Sequence, residues 1–467
     1  MTEVDHRRFV DAAIAVLRRN DRGAVTTAAP RLYPHQWSWD AAFVAIGWSH
    51  VSIPRAITEL RSLLAGQWST GMIPHIVFSD TDGYFPGPEY WRTAGLDAAP
   101  RYVATSGICQ PPVHAIAVRH VLDRGRMCGG VERALAEEFV ESTFDQWLRW
   151  HRYLARERDP EGVGLIEIHH SWESGWDNSP RWDEPYAAVE PRDTAFTRLD
   201  GDHVKDPSER PSDEDYARYL RLVDEMAAVG FDDAAVRDVV SFRVRDVFFS
   251  AVMARASAVL AGIGDELGRR EEAAELRDYA QRFAAGVEST IDPATGLARD
   301  VDVRTGRHLE AATLAGFAPL ISSTRPDLRS RLLQRLDGPD WMGAPGLRYR
   351  LPPSTSPASP RFHPRTYWRG PIWPFLTWFL AWSTDPVTEA DWYRRVRTEA
   401  LAQLADLSFA EYYEPFTGEP LGSCDQAWTA AVALEWLAGD RTGTRGISVI
   451  DRTRSGSAGR ARARTPT

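Results

Sequence analysis

Ala134-Leu-Ala-Glu-Glu-Phe139-Val-Glu-Ser-Thr-Phe144-Asp-Gln-Trp147-Leu-Arg-Trp150-His-Arg-Tyr-Leu154 repeats apolar residues every three to five positions. Leu135, Phe139, Phe144, Trp147, Trp150 and Leu154 fall on one helical face. The same rhythm runs outward in both directions. Phe9, Ala12, Ala13, Val16 and Leu17 mark an earlier helix. Further helices read at 40–50, 53–66, 111–123, 213–229, 246–262, 266–288, 309–321, 325–336, 371–384, 388–405 and 425–438, about thirteen in all. Strand-like alternation is confined to short pieces such as Gly164-Leu-Ile-Glu-Ile-His169. Alternating βα units are missing, which excludes Rossmann and TIM architectures. Gly262-Ile-Gly264-Asp-Glu-Leu-Gly268 follows a helix rather than a strand and has the wrong spacing for a dinucleotide loop. The pattern predicts an all-α fold, two concentric rings of helices, over residues 1–440.

Two segments break the rhythm, 78–106 and 183–212. Both are rich in Pro, Asp, Gly and aromatics, and structureless loops of that length are usually lids or binding loops. A third, Pro352 to Pro364, is rich in Pro and Ser.

Net charge is −10 and unevenly spread. Residues 441–467 carry seven arginines against Asp451 alone, so the rest of the chain holds −16. The tail's Arg, Ser, Gly, Ala, Thr and Pro cannot bury a core, and disorder is expected there. An acidic body argues against nucleic acid as a partner, since phosphate binding needs clustered cations. No apolar run is expected to reach the ~18 residues of a membrane helix, and the start lacks a signal peptide's apolar region. Cys109, Cys128 and Cys424 fit neither a disulfide framework nor a zinc site. A cytoplasmic protein with no metal or cofactor is expected, and nothing in the letters excludes a homo-oligomer.

Four clusters join aromatics to carboxylates. They are Tyr33-Pro-His-Gln-Trp37-Ser-Trp39-Asp40, His169-His-Ser-Trp-Glu173-Ser-Gly-Trp176-Asp177-Asn-Ser-Pro-Arg181-Trp182, Tyr367-Trp368-Arg-Gly-Pro-Ile-Trp373-Pro, and Phe409-Ala-Glu411-Tyr-Tyr-Glu414-Pro-Phe-Thr-Gly with Gln426 and Trp428 beyond it. Sugar sites combine flat aromatic faces with carboxylates that grip hydroxyls, and many of the 18 tryptophans stand beside charges in loops. Each cluster also has a bland explanation. Asp40 suits a helix N-cap, Asp177 an Asx turn, Glu411 and Glu414 solvated loop charges, and His169 and His170 structural histidines. Four unrelated caps and turns need not all be flanked by tryptophan, so a small-molecule saccharide ligand is the sharper reading.

Trp-Glu-Ser-Gly-Trp-Asp-x-Ser-x-Arg-Trp at 172–182 resembles the general-acid loop of trehalase-like and family 63 glycoside hydrolases. Arg-Gly-Pro-Ile-Trp-Pro at 369–374 and Glu-Tyr-Tyr-Glu-Pro-x-Thr-Gly at 411–418 are similar to further segments of that clan. The stretches 32–43 (Leu-Tyr-Pro-His-x-Trp-Ser-Trp-Asp-Ala-Ala-Phe), 71–78 (Gly-Met-Ile-Pro-His-Ile-Val-Phe), 82–88 (Asp-Gly-Tyr-Phe-Pro-Gly-Pro) and 207–213 (Pro-Ser-x-Arg-Pro-Ser-Asp) resemble the bacterial glucosylglycerate and mannosylglycerate hydrolases more narrowly. The resemblance covers about residues 8–438. It implies an (α/α)6 barrel and hydrolysis of an α-glycoside with inversion, Asp177 being the general acid and Glu411 the general base. Trp176 stands where the glucosylglycerate enzymes are expected to carry Met, as in trehalases.

The residues suit that chemistry on their own terms. Cleaving an acetal with inversion needs a protonated carboxylic acid at the leaving oxygen and a carboxylate that deprotonates water on the opposite face. Trp172, Trp176 and Trp182 around Asp177 give the apolar setting that raises an acid's pKa. Gln426 is placed to help Glu411 hold the water. Trp37, Trp39, Tyr367, Trp368 and Trp373 are expected to wall the pocket, with Asp40 and Gln110 gripping hydroxyls. Tyr84, Arg210 and Tyr216 lie on or beside the two lids, and a fork-shaped Arg suits a carboxylate-bearing aglycone. Trehalase or oligosaccharide α-glucosidase activity, a histidine-based sugar epimerase and a non-catalytic sugar binder are the alternatives.

Overall fold

Ser38–Ser49 buries every one of its residues, and Val247–Glu266, Pro374–Trp382 and Ala427–Leu437 are nearly as enclosed. Helices apolar all round must be surrounded by protein, whereas Glu3–Asn20, Ile53–Ala65 and Arg270–Ser289 have one apolar side. The computed structural model describes residues 3–30, 32–79, 84–193, 195–198 and 206–439, and within them the two kinds of helix form two rings. The inner ring is Ser38–Ser49, His114–Cys128, Val247–Glu266, Pro319–Ser322, Pro374–Trp382 and Ala427–Leu437. The first five pack on the outer helices that follow them, Ile53–Ala65, Gly130–Glu157, Arg270–Ser289, Pro326–Leu336 and Ala390–Gln403. Ala427–Leu437 packs instead on Glu3–Asn20, at the other end of the chain, and on Ser38–Ser49, which closes the ring. This is the expected (α/α)6 barrel.

Aromatic rings fill the barrel axis. Phe375 stacks on Trp428 at 4.1 Å and meets Trp39 and Phe43 edge-on at 5.0 and 5.1 Å. Phe379 joins them from one turn further along its helix. The axis is therefore plugged, and a ligand enters only above the plug.

The connections differ sharply at the two ends. Most links from an inner helix to its outer partner are short, such as 50–52, 267–269 and 323–325. Links from an outer helix to the next inner one are long: 21–37, 66–113, 158–246, 290–318, 337–373 and 404–426. These carry the small strands, including a four-stranded antiparallel sheet of Ile166–Ile168, Val244–Asp246, Val301–Asp302 and Arg307–His308. The long links converge at the N-terminal ends of the inner helices.

Three expectations need correction. The helix expected over 309–321 is only a 3-10 turn, Leu314–Phe317, followed by Pro319–Ser322. Pro319 lacks a backbone donor and so opens the short helix instead of continuing an earlier one. Val247–Glu266 is, by length and composition, apolar enough to span a membrane, but most of it is buried inside the barrel. The lid segments are not structureless either: Pro88–Trp91, Asp183–Tyr186 and Pro207–Glu209 are helical turns. The two lids touch where Phe85 stacks on Phe196 at 6.0 Å. The basic tail lies outside the described residues.

Candidate active site

A cavity of about 280 Å³ opens above the aromatic plug, at the end where the long links meet. That volume is near the lower end of small-molecule sites. Asp177 and Glu411 both line it. So do Tyr33, Trp37, Trp39, Asp40, Tyr84, Gln110, Arg210 and Tyr216 from the first half of the chain, and Tyr367, Trp368 and Gln426 from the second. Trp373, expected in the wall, and Trp176, expected at the substrate from the Asp177 loop, stand behind it. Trp368 is the wall residue, stacked on Trp373 at 3.6 Å and on Trp176 at 5.0 Å. Two buried rings thus fix the orientation of the Trp368 indole at the cavity wall.

The loop carrying Asp177 is clamped by buried charge on both sides. Before it, Glu173 pairs with Arg158 at 2.7 Å and accepts from the backbone of His169 at 2.6 Å. Burial alone would push the Glu173 carboxyl up, but the Arg158 charge, then His169, hold it down to about 2. After it, Arg181 pairs with Asp246 and, at 2.6 Å, with Asp300, all three being buried. At Gly175 the backbone is left-handed, and a Cβ would sit 2.3 Å from the Trp39 ring, so only glycine fits. Asp177 itself is half-buried and also lines a second cavity of about 500 Å³ together with Arg210 and Trp182.

His169 and His170 serve the same loop. His169 pairs with Glu167 at 3.1 Å, and His170 accepts from the backbone of Trp172 at 2.9 Å while its other nitrogen meets the Tyr219 carbonyl. Burial lowers His170 to about 4, which keeps it neutral. They are loop fixings, and a histidine acid–base pair is not what this site offers.

Glu411 precedes a hairpin of Tyr412–Tyr413 and Pro420–Leu421. Its Oε2 accepts from the Ser423 backbone at 3.1 Å, and Gly422 approaches so closely that a Cβ there would lie 2.5 Å from that oxygen. Its Oε1 accepts from the Tyr33 hydroxyl at 2.6 Å. Burial raises the Tyr33 hydroxyl well above its usual value, so its proton stays on as the donor. Arg210 Nη2 donates to the same Tyr33 oxygen at 3.1 Å, and Nη1 lies 3.8 Å from Glu411 Oε1. The guanidinium is seated over the Tyr367 ring, 3.9 Å from its centroid. Gln426 is tied to Glu411 through Ser423, whose hydroxyl donates to it at 2.7 Å.

Glu414 does something else: one of its oxygens collects the Phe416 and Thr417 backbone donors and the Thr417 hydroxyl, closing the hairpin turn. Asp40 is not a helix cap. The helix begins at Ser38 and Asp40 is buried in its first turn, lining the cavity. Burial, then the charges of Glu411 and Asp177, raise its carboxyl well above the ordinary range. Three carboxyls therefore share one small cavity. Among the residues that the sequence reading did not place in the wall, Trp172, His75, Trp91 and Trp428 line the cavity. His75 sits in the quoted Gly-Met-Ile-Pro-His stretch and Trp428 two residues past Gln426, which were the available signals.

Residues 33–429, which span every lining residue named here, match the family model of the mannosylglycerate hydrolase MGH1-like glycoside hydrolase domain. The chain belongs to this family of glycoside hydrolases. It is 53% identical over 430 residues to the glucosylglycerate hydrolase of Mycolicibacterium hassiacum, covering 91% of this chain and 96% of that one. It is 39% identical over 427 residues to the mannosylglycerate hydrolase of Thermus thermophilus, covering 91% and 99%. The crystal structure of a Thermus thermophilus GH63 mannosylglycerate hydrolase in complex with Tris and D-glycerate superposes with a TM-score of 0.83 at 38% identity, covering 92% and 99% of the two chains. The MGH1-like glycoside hydrolases thus share this barrel over almost the whole described chain.

Proposed function

We propose that the protein hydrolyses a small α-glycoside of glycerate, with glucosylglycerate as the first candidate and mannosylglycerate the second, and that it does so with inversion. Asp177 is the acid: it gives its proton to the glycosidic oxygen as the bond to the anomeric carbon breaks, releasing glycerate. Glu411 is the base: it takes a proton from the water whose oxygen attacks that carbon from the opposite face. The observation that carries this reading is that the two carboxyls reach one cavity from separate links of the barrel, with Arg210 beside them. Arg210 is buried, and its sequence neighbours Glu209 and Asp213 are engaged by Arg365 and Arg198 instead. A buried fork-shaped cation at the cavity wall suits a carboxylate on the leaving group. The relative named for glucosylglycerate and the related structure holding D-glycerate support the same aglycone.

The test is a panel of glucosylglycerate, mannosylglycerate, trehalose and a maltooligosaccharide, read by released sugar, with the first anomer followed by NMR. Turnover should be fastest on a glycerate glycoside and the first product should be the β-anomer. A preference for trehalose overturns the aglycone, and an α-anomer overturns inversion.

A further inference from the structure

Arg210 stands at Glu411 as well as in the cavity wall. One guanidinium nitrogen donates to Tyr33, whose own proton is on Glu411 Oε1, and the other lies 3.8 Å from that same oxygen. With Tyr33's only proton committed to Glu411, the Tyr367 hydroxyl 3.4 Å away is the donor in their contact. Tyr33 comes from the link before Ser38–Ser49, Arg210 from the turn after Pro207–Glu209, and Tyr367 from a third link. Tyr33 and Arg210 thus reach one carboxylate oxygen from two separate links, while Tyr367 on a third holds Tyr33 and seats the guanidinium, an arrangement that serving the aglycone alone would not need. A cation this close, together with the Tyr33 proton, holds the carboxylate's negative charge on that oxygen.

We propose that Arg210 is a switch on the base: with the cavity empty it restrains Glu411 directly and through Tyr33, and the carboxylate of a bound aglycone compensates the guanidinium and releases Glu411 to accept the water's proton. This rests on the glycerate reading and adds to it a reason for specificity. A neutral aglycone of the same size would fill the space yet leave the restraint in place. Discrimination then lies in turnover as well as in binding. The other groups facing Glu411 are Asp40 from the Ser38–Ser49 helix, Tyr367 and Tyr412, which Arg210 also engages, and the Ser423 donors. Tyr33 is a positioning residue in this scheme, because it acts through Glu411.

The experiment compares the acid limbs of kcat/KM and kcat, which report the free enzyme and its substrate complex. The substrates are the glycerate glycoside and the matching glycoside of glycerol. Burying the base under any sugar moves the kcat limb, and that part is common to both. With the glycerate glycoside the kcat limb should move to higher pH by on the order of one pH unit more than with the glycerol glycoside. Arg210→Gln should reduce the glycerate gap to the glycerol value, and Tyr33→Phe should raise the kcat/KM limb on both substrates. Equal gaps in the wild type, or a glycerate gap unchanged in Arg210→Gln, overturn the switch while leaving the hydrolase reading intact. Turnover of neither glycoside overturns both.

Discussion

Asp177 and Glu411 face the same cavity from loops that are built on different principles. The Asp177 loop is bolted to the barrel body by buried ion pairs, Glu173 to Arg158 on one side and Arg181 to Asp246 and Asp300 on the other. Glu411 is held by a backbone donor, by Tyr33 and by Arg210 from a lid segment. An acid that must meet one leaving oxygen gains from a rigid mount. A base whose neighbours come from a lid is open to control by whatever the lid binds. The difference separates what can be altered for stability from what can be altered for specificity.

Removing either carboxylate is the harshest test. Asp177→Ala and Glu411→Ala should each lower kcat by several orders of magnitude in folded protein, since each deletes one partner of the proposed proton transfers. Circular dichroism beside the assay separates loss of chemistry from loss of fold. Either variant keeping a tenth of wild-type kcat would remove that residue from its role.

The rigid mount predicts a loss of stability. Arg181→Ala strands Asp246 and Asp300 as buried carboxylates, and breaking such a pair costs about 3–5 kcal/mol. Denaturant midpoints should fall accordingly, well beyond the ~1 kcal/mol expected of Ser423→Ala beside the base. Equal midpoints for these two would mean that the loops are mounted alike.

Acid should loosen the same mount. The Glu173 carboxyl is held at about 2, below its ordinary 4.5. Its folded pKa being depressed, the stability it contributes is fully present above pH 4.5 and is lost as pH falls toward 2. His75 and His170 are lowered by burial to about 3 and 4 from 6.5. The unfolded chain therefore binds more protons than the folded one below pH 6.5, and stability falls from there downward. Urea midpoints measured from pH 7 to 4 should decline steadily, and a flat profile would contradict the neutral burial of these histidines.

The barrel was legible in the letters because inner and outer helices differ in how far round their apolar residues run, and that survives in sequence. Pro319–Ser322 was not, since Leu314, Phe317 and Leu320 keep a helical spacing that Pro319 interrupts. The clusters around Asp177 and Glu411 announced the site because tryptophan beside carboxylate is hard to explain otherwise. Composition does not say which of several tryptophans faces the cavity. Trp176 and Trp373 were indistinguishable from Trp368 until stacking order was known. The charges of Glu173 and Arg181 look catalytic in a list of letters, and only their buried partners, more than a dozen residues away at the nearest, show them to be structural.

At the base, Arg210→Ala should cut kcat/KM for a glycerate glycoside by roughly 30- to 1000-fold, the equivalent of about 2–4 kcal/mol for a charge-assisted contact in an enclosed site. The glycerol glycoside should lose little, because the same change frees Glu411 from its restraint. Equal losses on both substrates would make Arg210 a fixing of the lid, and the contrast between the two loops would vanish.

The smallest expected effect falls three residues from the base. Glu414 gathers the Phe416 and Thr417 donors within its own turn and does not line the cavity. Glu414→Ala leaves those donors to water at a partly exposed turn, so about 1–2 kcal/mol of stability should go, by the scale of a lost cap. At temperatures where the variant stays folded, kcat should remain within a few-fold of the wild type, and its pH profile should keep the same acid limb. The two glutamates of one Glu-Tyr-Tyr-Glu stretch thus divide cleanly, Glu411 turned to the cavity and Glu414 turned into the hairpin. A folded Glu414→Ala that is less active than Glu411→Ala would move the base to Glu414, and with it the partner that Tyr33 and Arg210 are placed to hold.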